Sequence, residues 1–419
     1  MIGFALFLLI FIGSQLFWIS RILDLGERFI PGKPRRAWLA LVAGLIYVFV
    51  FIYSYPSIQS CCMGHIFRPA DYRLHSILIE AAFWWWFVGS LLAFAFVIAF
   101  GTVDRAARAA AWMYRKARER MQRHVTPDSD RGAPHSLTRR RFLAQTTVLV
   151  SATPFVAAGY GLLYGRLDVE VVRRHIRLAR LPNAFAGFQI AQLSDVHIGP
   201  FTSADYIRAC VAITNALKPD LIALTGDYLD WDRQAEGEVV HALSGLHAPH
   251  GVFACLGNHE EESQTEESIT RLFSAEGIRV LRQERASLQL GGEMLYLMGI
   301  DCPRGSTADL YRSDVTRRLQ GLVMPATVNI LLSHYPDVFD RAAVLGFDLT
   351  LAGHTHGGQL SLDLIHRGLN LSHFLYRYDS GWYEKHGAQL YVNRGIGTSG
   401  LPIRLGARPE ITLIELGRA

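Results

Sequence analysis

Phe188-Gln189-Ile190-Ala191-Gln192-Leu193-Ser194-Asp195-Val196-His197 decides the reading of this chain, because an apolar run of strand length ends directly in Asp-x-His. The pattern returns downstream. Leu221–Thr225 runs into Gly226-Asp227, Val252–Leu256 into Gly257-Asn258-His259-Glu260, Val328–Leu332 into Ser333-His334, and Leu349–Ala352 into Gly353-His354-Thr355-His356. Short apolar runs bounded by glycine and polar residues predict buried strands, and residues 204–217 carry helical periodicity. In α/β sheets, ligands bind at the carboxyl ends of strands. Five strands that each finish in Asp, Asn or His predict one sheet edge where metal-ligand side chains gather.

These residue types suit one chemistry. A phosphoester is anionic and resists attack by water. Two divalent cations a few ångströms apart neutralise it, polarise its oxygens and supply hydroxide near neutral pH. A carboxylate can bridge both ions. Imidazole suits manganese, iron or zinc, and an amide oxygen completes the harder side.

Taken in order, D-x-H, G-D-x-x-D, G-N-H-E, a lone His and G-H-T-H resemble the calcineurin-like metallophosphoesterase superfamily, over roughly residues 187–417. The resemblance implies an α/β sandwich of two mixed β-sheets flanked by helices. It also implies two divalent metal ions (Mn, Fe or Zn) and hydrolysis of phosphodiester, pyrophosphate or phosphomonoester bonds. Carried over motif by motif, Asp195, His197 and His356 would ligate the first metal, and Asp227 would bridge the two. Asn258, His334 and His354 would complete the second site. His259 matches the general acid, and Asp230 would orient it by a hydrogen bond. Glu260 matches its motif but receives no ligand role.

Two departures narrow the branch. The Ser/Thr protein phosphatases continue G-D-x-x-D with Arg-Gly, whereas Asp230 is followed by Trp231-Asp232. The chain also has Gly357-Gly358-Gln359 after G-H-T-H and a glycine-rich tail from Asn393 to Arg404. Together these resemble the YkuE-like branch, whose members are commonly membrane-attached or exported. Within the tail, Arg394 and Arg404 are candidate substrate-binding residues, able to grip a phosphate through the guanidinium fork. The alternative is a structural turn with solvent-facing arginines. His241, His247, His250, His366, His373 and His386 read as core or surface residues, although His366 and His373 follow the last ligand motif and could line the cleft.

Outside the catalytic region the composition changes. Half of the 419 residues are apolar and mean hydropathy is +0.17, values typical of a chain with a membrane part. All the long apolar runs fall in the first 165 residues, at roughly Ile2–Ile19, Ala37–Tyr55, Ile77–Phe100 and Ala144–Tyr164. Each approaches the ~20 residues a membrane helix needs. The Trp84-Trp85-Trp86 run suits an interface. The fourth run is the most polar and also reads as a buried soluble helix.

The formal charge is +5 and the pI about 9.0. Residues 102–143 hold eleven Lys/Arg against four Asp/Glu, a surplus larger than the whole net charge. The remainder of the chain is therefore close to neutral or slightly acidic, which argues against a nucleic-acid partner. Basic loops stay cytoplasmic. The clusters at 21–36 and 102–143 thus predict an external N-terminus and a catalytic domain on the external or periplasmic side of the inner (cytoplasmic) membrane. Arg166, Arg173, Arg174, Arg177 and Arg180 after the fourth span pull the other way, but large domains cross regardless of such charge. Thr138-Arg139-Arg140-Arg141-Phe142-Leu143 resembles a twin-arginine export motif, or is a basic flank holding the helix in place.

The expected organisation is three transmembrane helices in 1–101, a basic cytoplasmic linker in 102–143, a fourth transmembrane helix or twin-arginine-type signal anchor in 144–165, and the metallophosphoesterase domain in 166–419. The five cysteines lack C-x-x-C spacing and read as free thiols. The expected function is a membrane-anchored binuclear phosphoesterase whose substrate is a lipid-linked or envelope phosphoester. The rivals are a catalytically degenerate membrane scaffold and a nucleic-acid phosphodiesterase.

Overall fold

Strands Glu170–Leu178 (β1), Gln189–Leu193 (β2), Leu221–Thr225 (β3), Val252–Cys255 (β4), Ile278–Val280 (β5) and Glu410–Arg418 (β12) form one sheet of the catalytic unit, in the order β1-β12-β2-β3-β4-β5. A second six-stranded sheet takes Glu284–Leu290 (β6), Glu293–Gly299 (β7), Val328–Leu332 (β8), Leu349–Ala352 (β9), Gly381–Lys385 (β10) and Ala388–Val392 (β11), in the order β10-β11-β9-β8-β7-β6. Both sheets are mixed. The site-bearing strands are parallel: β2 with β3 and β3 with β4 in one sheet, β8 with β9 and β9 with β11 in the other. Parallel register brings their carboxyl ends to a common edge, as the ligand-terminated runs predict.

The computed structural model describes residues 2–29, 36–48, 79–122, 151–303, 308–361, 371–374 and 376–419. The chain divides into two units, Met1–Ser54 with Ala82–Tyr160 and Tyr55–Ala81 with Gly161–Ala419.

Unbroken apolar strands follow from burial on both faces. Along β3, Leu221 and Ala223 enter the core shared by the two sheets, while Ile222 and Leu224 enter the core beneath the outer helices. Ile207, Val239, Leu243, Ile269 and Phe273 of helices Ala204–Ala216, Glu236–Leu243 and Glu266–Ala275 complete that outer core. Ser203 caps the first of these helices by accepting from Tyr206 N, as expected of a serine N-cap. Helices Ala308–Leu319 and Phe339–Leu345 cover the other sheet through Val315, Leu319 and Ala342. The sandwich of two mixed sheets flanked by helices is the fold the motifs implied.

The described residues of the other unit are helical. Ile2–Phe29 forms a 28-residue helix. Its Gln15 Nε2 donates to Ser90 Oγ at 3.0 Å, and Trp18 Nε1 donates to Ser90 O at 2.8 Å. Trp85 Nε1 donates to Phe155 O at 2.8 Å and Trp86 Nε1 to Gln15 Oε1 at 3.0 Å, so two of the three tryptophans bind neighbouring helices. Among the described residues one helix, Ala81–Arg118, is long and apolar enough to cross a membrane, and Arg36–Val48 is a shorter apolar helix. The third run does not stop at the basic segment: the helix continues to Gln122. Residues 105–122 are rich in Ala, Arg, Lys, Glu and Met, all strong helix formers, so the first half of the expected linker is helix. Of the fourth run, residues 151–160 are helical. Its first part, the Thr138–Leu143 motif, Cys61, Cys62 and His366 lie outside the described residues.

Candidate metal centre

Strand ends alone do not aim a ligand; the backbone just beyond them does. Asp195, His197, Asp227, His354 and His356 have φ of 51°, 44°, 56°, 73° and 53°. Such left-handed backbone costs a non-glycine residue about 1–3 kcal/mol and persists only where its surroundings over-determine it. Here the turns pin one another. Asp195 N donates to Gly226 O, His197 N to Asp227 O, Gly353 N to His334 O and Gly397 N to Asp195 O, at 3.0, 3.0, 3.1 and 2.7 Å. The motif glycines permit this closeness: a Cβ on Gly257 would overlap Asp227 Oδ1, and one on Gly353 would overlap Ser194 Oγ and Asp195 Oδ2.

The side chains converge in two clusters, one buried and one buried except for half-buried His354, and a third group, His197, Asp230 and His259, adjoins them. Asp195, His197 and His356 each offer a ligand atom within 4.8 Å of the others, as do Asp227, His334 and His354. His356 Nε2 lies 3.4 Å from Asp195 Oδ1, and the Nε2 atoms of His197 and His356 are 3.1 Å apart. Asp227 Oδ2 stands between the clusters, 3.5 Å from His197 Nε2 and 3.1 Å from His334 Nε2. His334 Nδ1 donates to Thr225 O at 2.8 Å and His197 Nδ1 to Leu229 O at 3.2 Å. Those carbonyls hold a proton on each Nδ1 and turn each Nε2 toward the clusters.

The donor set fits a divalent metal. Asn258 Oδ1 is buried and has no hydrogen-bond partner, which is costly for an amide oxygen unless a cation completes it. Burial alone would raise the Asp227 carboxyl, but the imidazoles of His334, His259 and His197 override it and hold the group well below the carboxylate range. Burial and neighbouring His334 push His354 down to about 4. Burial also drives His356 well down, with His197 and the Arg404 guanidinium adding to it against Asp195. Neutral imidazoles and ionised carboxylates are the forms that ligate metals.

His197 and His334 are the exceptions. Burial opposes their charge, yet Asp195 and Asp227 raise His197, and the Asp227 and Asp195 carboxylates raise His334 to about 9. A metal at its Nε2 must displace that proton, so apparent metal affinity rises with pH up to about 9 and binding at pH 7.5 releases about one proton from this group. Calorimetric titration in buffers of different ionisation enthalpy measures the release; none at pH 7.5 would contradict the imidazolium. The stability sign follows. A raised histidine stabilises the metal-free fold fully below about pH 6.5 and loses that contribution as pH rises through about 9. Chelated protein should therefore melt lower at pH 9 than at pH 6.5.

Three placements differ from the sequence reading. Asp230 meets His259 through its main chain: His259 Nδ1 donates to Asp230 O. Arg394 and Arg404 are not poised for substrate phosphate. Arg394 is spent between Glu410 and Glu170, which sit side by side on paired strands and would otherwise repel. Arg404 is 1 % exposed. It donates to Gly397 O, Ala407 O and Arg394 O, and burial lowers it to about 10. Neither is it a solvent-facing turn residue: its guanidinium fills the glycine-rich loop whose Ile396 and Gly397 amides hold the Ser194–Asp195 carbonyls. Glu260, assigned no role by sequence, accepts from the amides of Asp227, Tyr228 and Gly257 at 3.0, 2.7 and 2.8 Å. A carboxylate three residues past a turn glycine, the spacing of a capping box, was the signal for it. His373 pairs with Asp379 at 3.1 Å. Cys210, Cys255 and Cys302 are free and buried.

A mixed two-sheet sandwich that gathers Asp, Asn and His side chains able to hold a metal at one edge is the architecture of a phosphoric ester hydrolase. The sequence profile of the calcineurin-like phosphoesterase family matches residues 188–358. The chain is 31% identical to an uncharacterized metallophosphoesterase, YkuE, of Bacillus subtilis, over 67% of this chain and 98% of that protein. It is 32% identical to the phosphodiesterase YaeI of Escherichia coli, over 67% of this chain and 99% of that one. A transmembrane protein with metallophosphoesterase domain from Danio rerio is 27% identical over 100% of this chain and 90% of its own. The protein belongs to the calcineurin-like phosphoesterase family, in its YkuE-like branch.

Proposed function

We propose that this hydrolase is a membrane-anchored two-metal phosphodiesterase acting on lipid-linked or envelope phosphoesters, with pyrophosphate and phosphomonoester bonds as secondary substrates. Asp195, His197 and His356 would hold one divalent ion, Asn258, His334 and His354 the other, and Asp227 would be shared. The observation that carries this reading is the pair of clusters meeting at Asp227 Oδ2, with His259 Nε2 3.9 Å from the same oxygen. Bound there, manganese, iron or zinc supplies charge neutralisation and acidified water. The protein's own part is proton transfer. Asp230 O keeps one proton of His259 on Nδ1, so Nε2 is the atom left to carry a proton to the leaving oxygen.

Anchoring is supported by the apolar helix Ala81–Arg118 and by the whole-length similarity to a protein named as transmembrane. The basic loops support a catalytic domain, residues 166–419, on the external face. Diesterase action is supported by the similarity to a protein named as a phosphodiesterase.

Full-length protein in detergent micelles, given manganese, is expected to hydrolyse bis-p-nitrophenyl phosphate faster than p-nitrophenyl phosphate. It is also expected to release phosphate or head group from phospholipid or isoprenoid pyrophosphate esters. His259→Ala should cut turnover on alkyl esters by ~10²-fold or more while both metals stay bound. Cleavage of soluble nucleotides alone would refute the lipid-linked substrate, and full loss of metal in the His259 variant would refute its assignment as an acid rather than a ligand.

A further inference from the structure

We infer that Trp231 and Ser399 are positioning residues that hold His259 in the orientation from which it delivers its proton, an inference that rests on the reading of His259 as the general acid. A general acid outside the metal ligand set needs its ring aimed by something else. His259 lies on the short helix Asn258–Glu262, and its imidazole is gripped on every side. The Trp231 ring packs on it with centroids 4.1 Å apart at 44°. The edge of His197 closes the ring from another direction, 4.5 Å away at 77°. Nδ1 is fixed on Asp230 O. Nε2, the atom that must carry the transferable proton, lies 3.4 Å from Ser399 Oγ, which is itself 3.5 Å from Asp230 Oδ1.

This arrangement gives the glycine-rich tail a part its arginines do not play. Ser399 is held in place by Gln359 Nε2, which donates to Ser399 O at 2.8 Å, so the loop after β11 is tied to the segment that follows G-H-T-H. Trp231 follows directly on Asp230, so the residue whose carbonyl takes Nδ1–H also brings up the indole that covers the ring. Trp231 is half-buried while His259 beneath it is 5 % exposed. Once Nε2 carries its proton, Nε2–H can rest on Ser399 Oγ, whose own hydrogen reaches Asp230 Oδ1. In the reaction the Nε2–H bond breaks, an O–H bond forms on the leaving group, and the imidazole is left neutral with Nδ1–H still on Asp230 O. Without the indole the ring can turn about its side-chain bonds and the Nε2–H vector is lost, while the metal ligands are untouched.

The test is the dependence of rate on the leaving group. p-Nitrophenolate departs without a proton; a phenol or an alcohol needs one. Full-length wild type, Trp231→Ala, Trp231→Phe, Ser399→Ala and His259→Ala, each manganese-loaded in detergent with metal content measured, are compared on methyl p-nitrophenyl, methyl phenyl and dialkyl phosphodiesters. Trp231→Ala is expected to lose less than ~3-fold in kcat on the nitrophenyl ester and ~30-fold on the phenyl and alkyl esters, with KM little changed. Trp231→Phe should restore most of the loss, and Ser399→Ala should show a smaller one of the same pattern. Equal losses on all esters, or a change in KM alone, in Trp231→Ala and Ser399→Ala would overturn the inference. If His259→Ala shows the leaving-group pattern and these variants do not, the positioning roles fail and the general acid stands. If His259→Ala itself is flat across the series, the general-acid reading falls and the inference falls with it. Ser399→Ala removes one hydroxyl from a loop and keeps the comparison decisive should Trp231→Ala fold poorly.

Discussion

Replacing Asp227 with Asn is expected to lower turnover by ~10³-fold or more, about 4 kcal/mol of transition-state stabilisation, and to reduce bound metal to at most one ion per chain. The substitution keeps volume and shape. It also keeps an oxygen for the amide of His259, which donates to Asp227 Oδ1 at 3.0 Å, so the turn survives. What it removes is the charge at Oδ2, the atom 3.5 Å from His197 Nε2 and 3.1 Å from His334 Nε2. The same charge holds the His334 proton, since Asp227 is the foremost group raising that imidazole against burial, to about 9. The variant therefore carries an internal check: the metal-free protein should lose much of its drop in stability between pH 6.5 and 9, because His334 no longer gains as much from being protonated in the fold. Metal analysis, steady-state rates and melting curves of chelated protein at the two pH values measure all three effects. Two ions retained with near wild-type rates would overturn the shared-ligand reading.

The residues that could hold a metal were legible because they obey a rule of position. Strands buried on both faces are apolar throughout, so the first polar residue after LIALT or LTLA stands out, and parallel strands end at the same edge. Asp195, Asp227, Asn258, His334, His354 and His356 were found this way. Arg404 was misread for a physical reason: arginines are rarely fully buried, and nothing local shows that a loop folding back on itself will present several carbonyls to one guanidinium. Glu260 was missed because its partners, the amides of Asp227, Tyr228 and Gly257, come from two loops joined only in three dimensions. The helix that carries the third apolar run extends past it, because charge marks the end of an apolar run and not of a helix. Ala and Arg in residues 105–118 sustain it well past Phe100.

Glu260→Ala should destabilise the catalytic unit by about 3–5 kcal/mol, a fall of roughly 10 °C in melting temperature, with no ligand removed. The Glu260 side chain is fully buried. Its Oε2 accepts from Asp227 N and Gly257 N, and its Oε1 from Tyr228 N and, at 3.3 Å, from Leu229 N. Alanine would leave these amides unpaired in the interior and a cavity beside them, and a buried N–H without a partner costs about 1–3 kcal/mol. The loss falls on the turn that keeps Asp227 at a φ of 56°, a conformation the residue does not hold unaided. Metal affinity should therefore drop along with stability, although Glu260 touches no metal. Glu260→Gln separates packing from hydrogen bonding: it fills the space, but one oxygen becomes an NH₂ facing amide donors, so more than half of the destabilisation should remain. Exposed Glu276→Ala should change stability by less than ~0.5 kcal/mol. Equal, small effects at Glu260 and Glu276 would mean that the left-handed turn at Asp227 is held by the metal and not by the fold; a large loss at Glu260 in chelated protein would mean that the centre is built before the metal arrives.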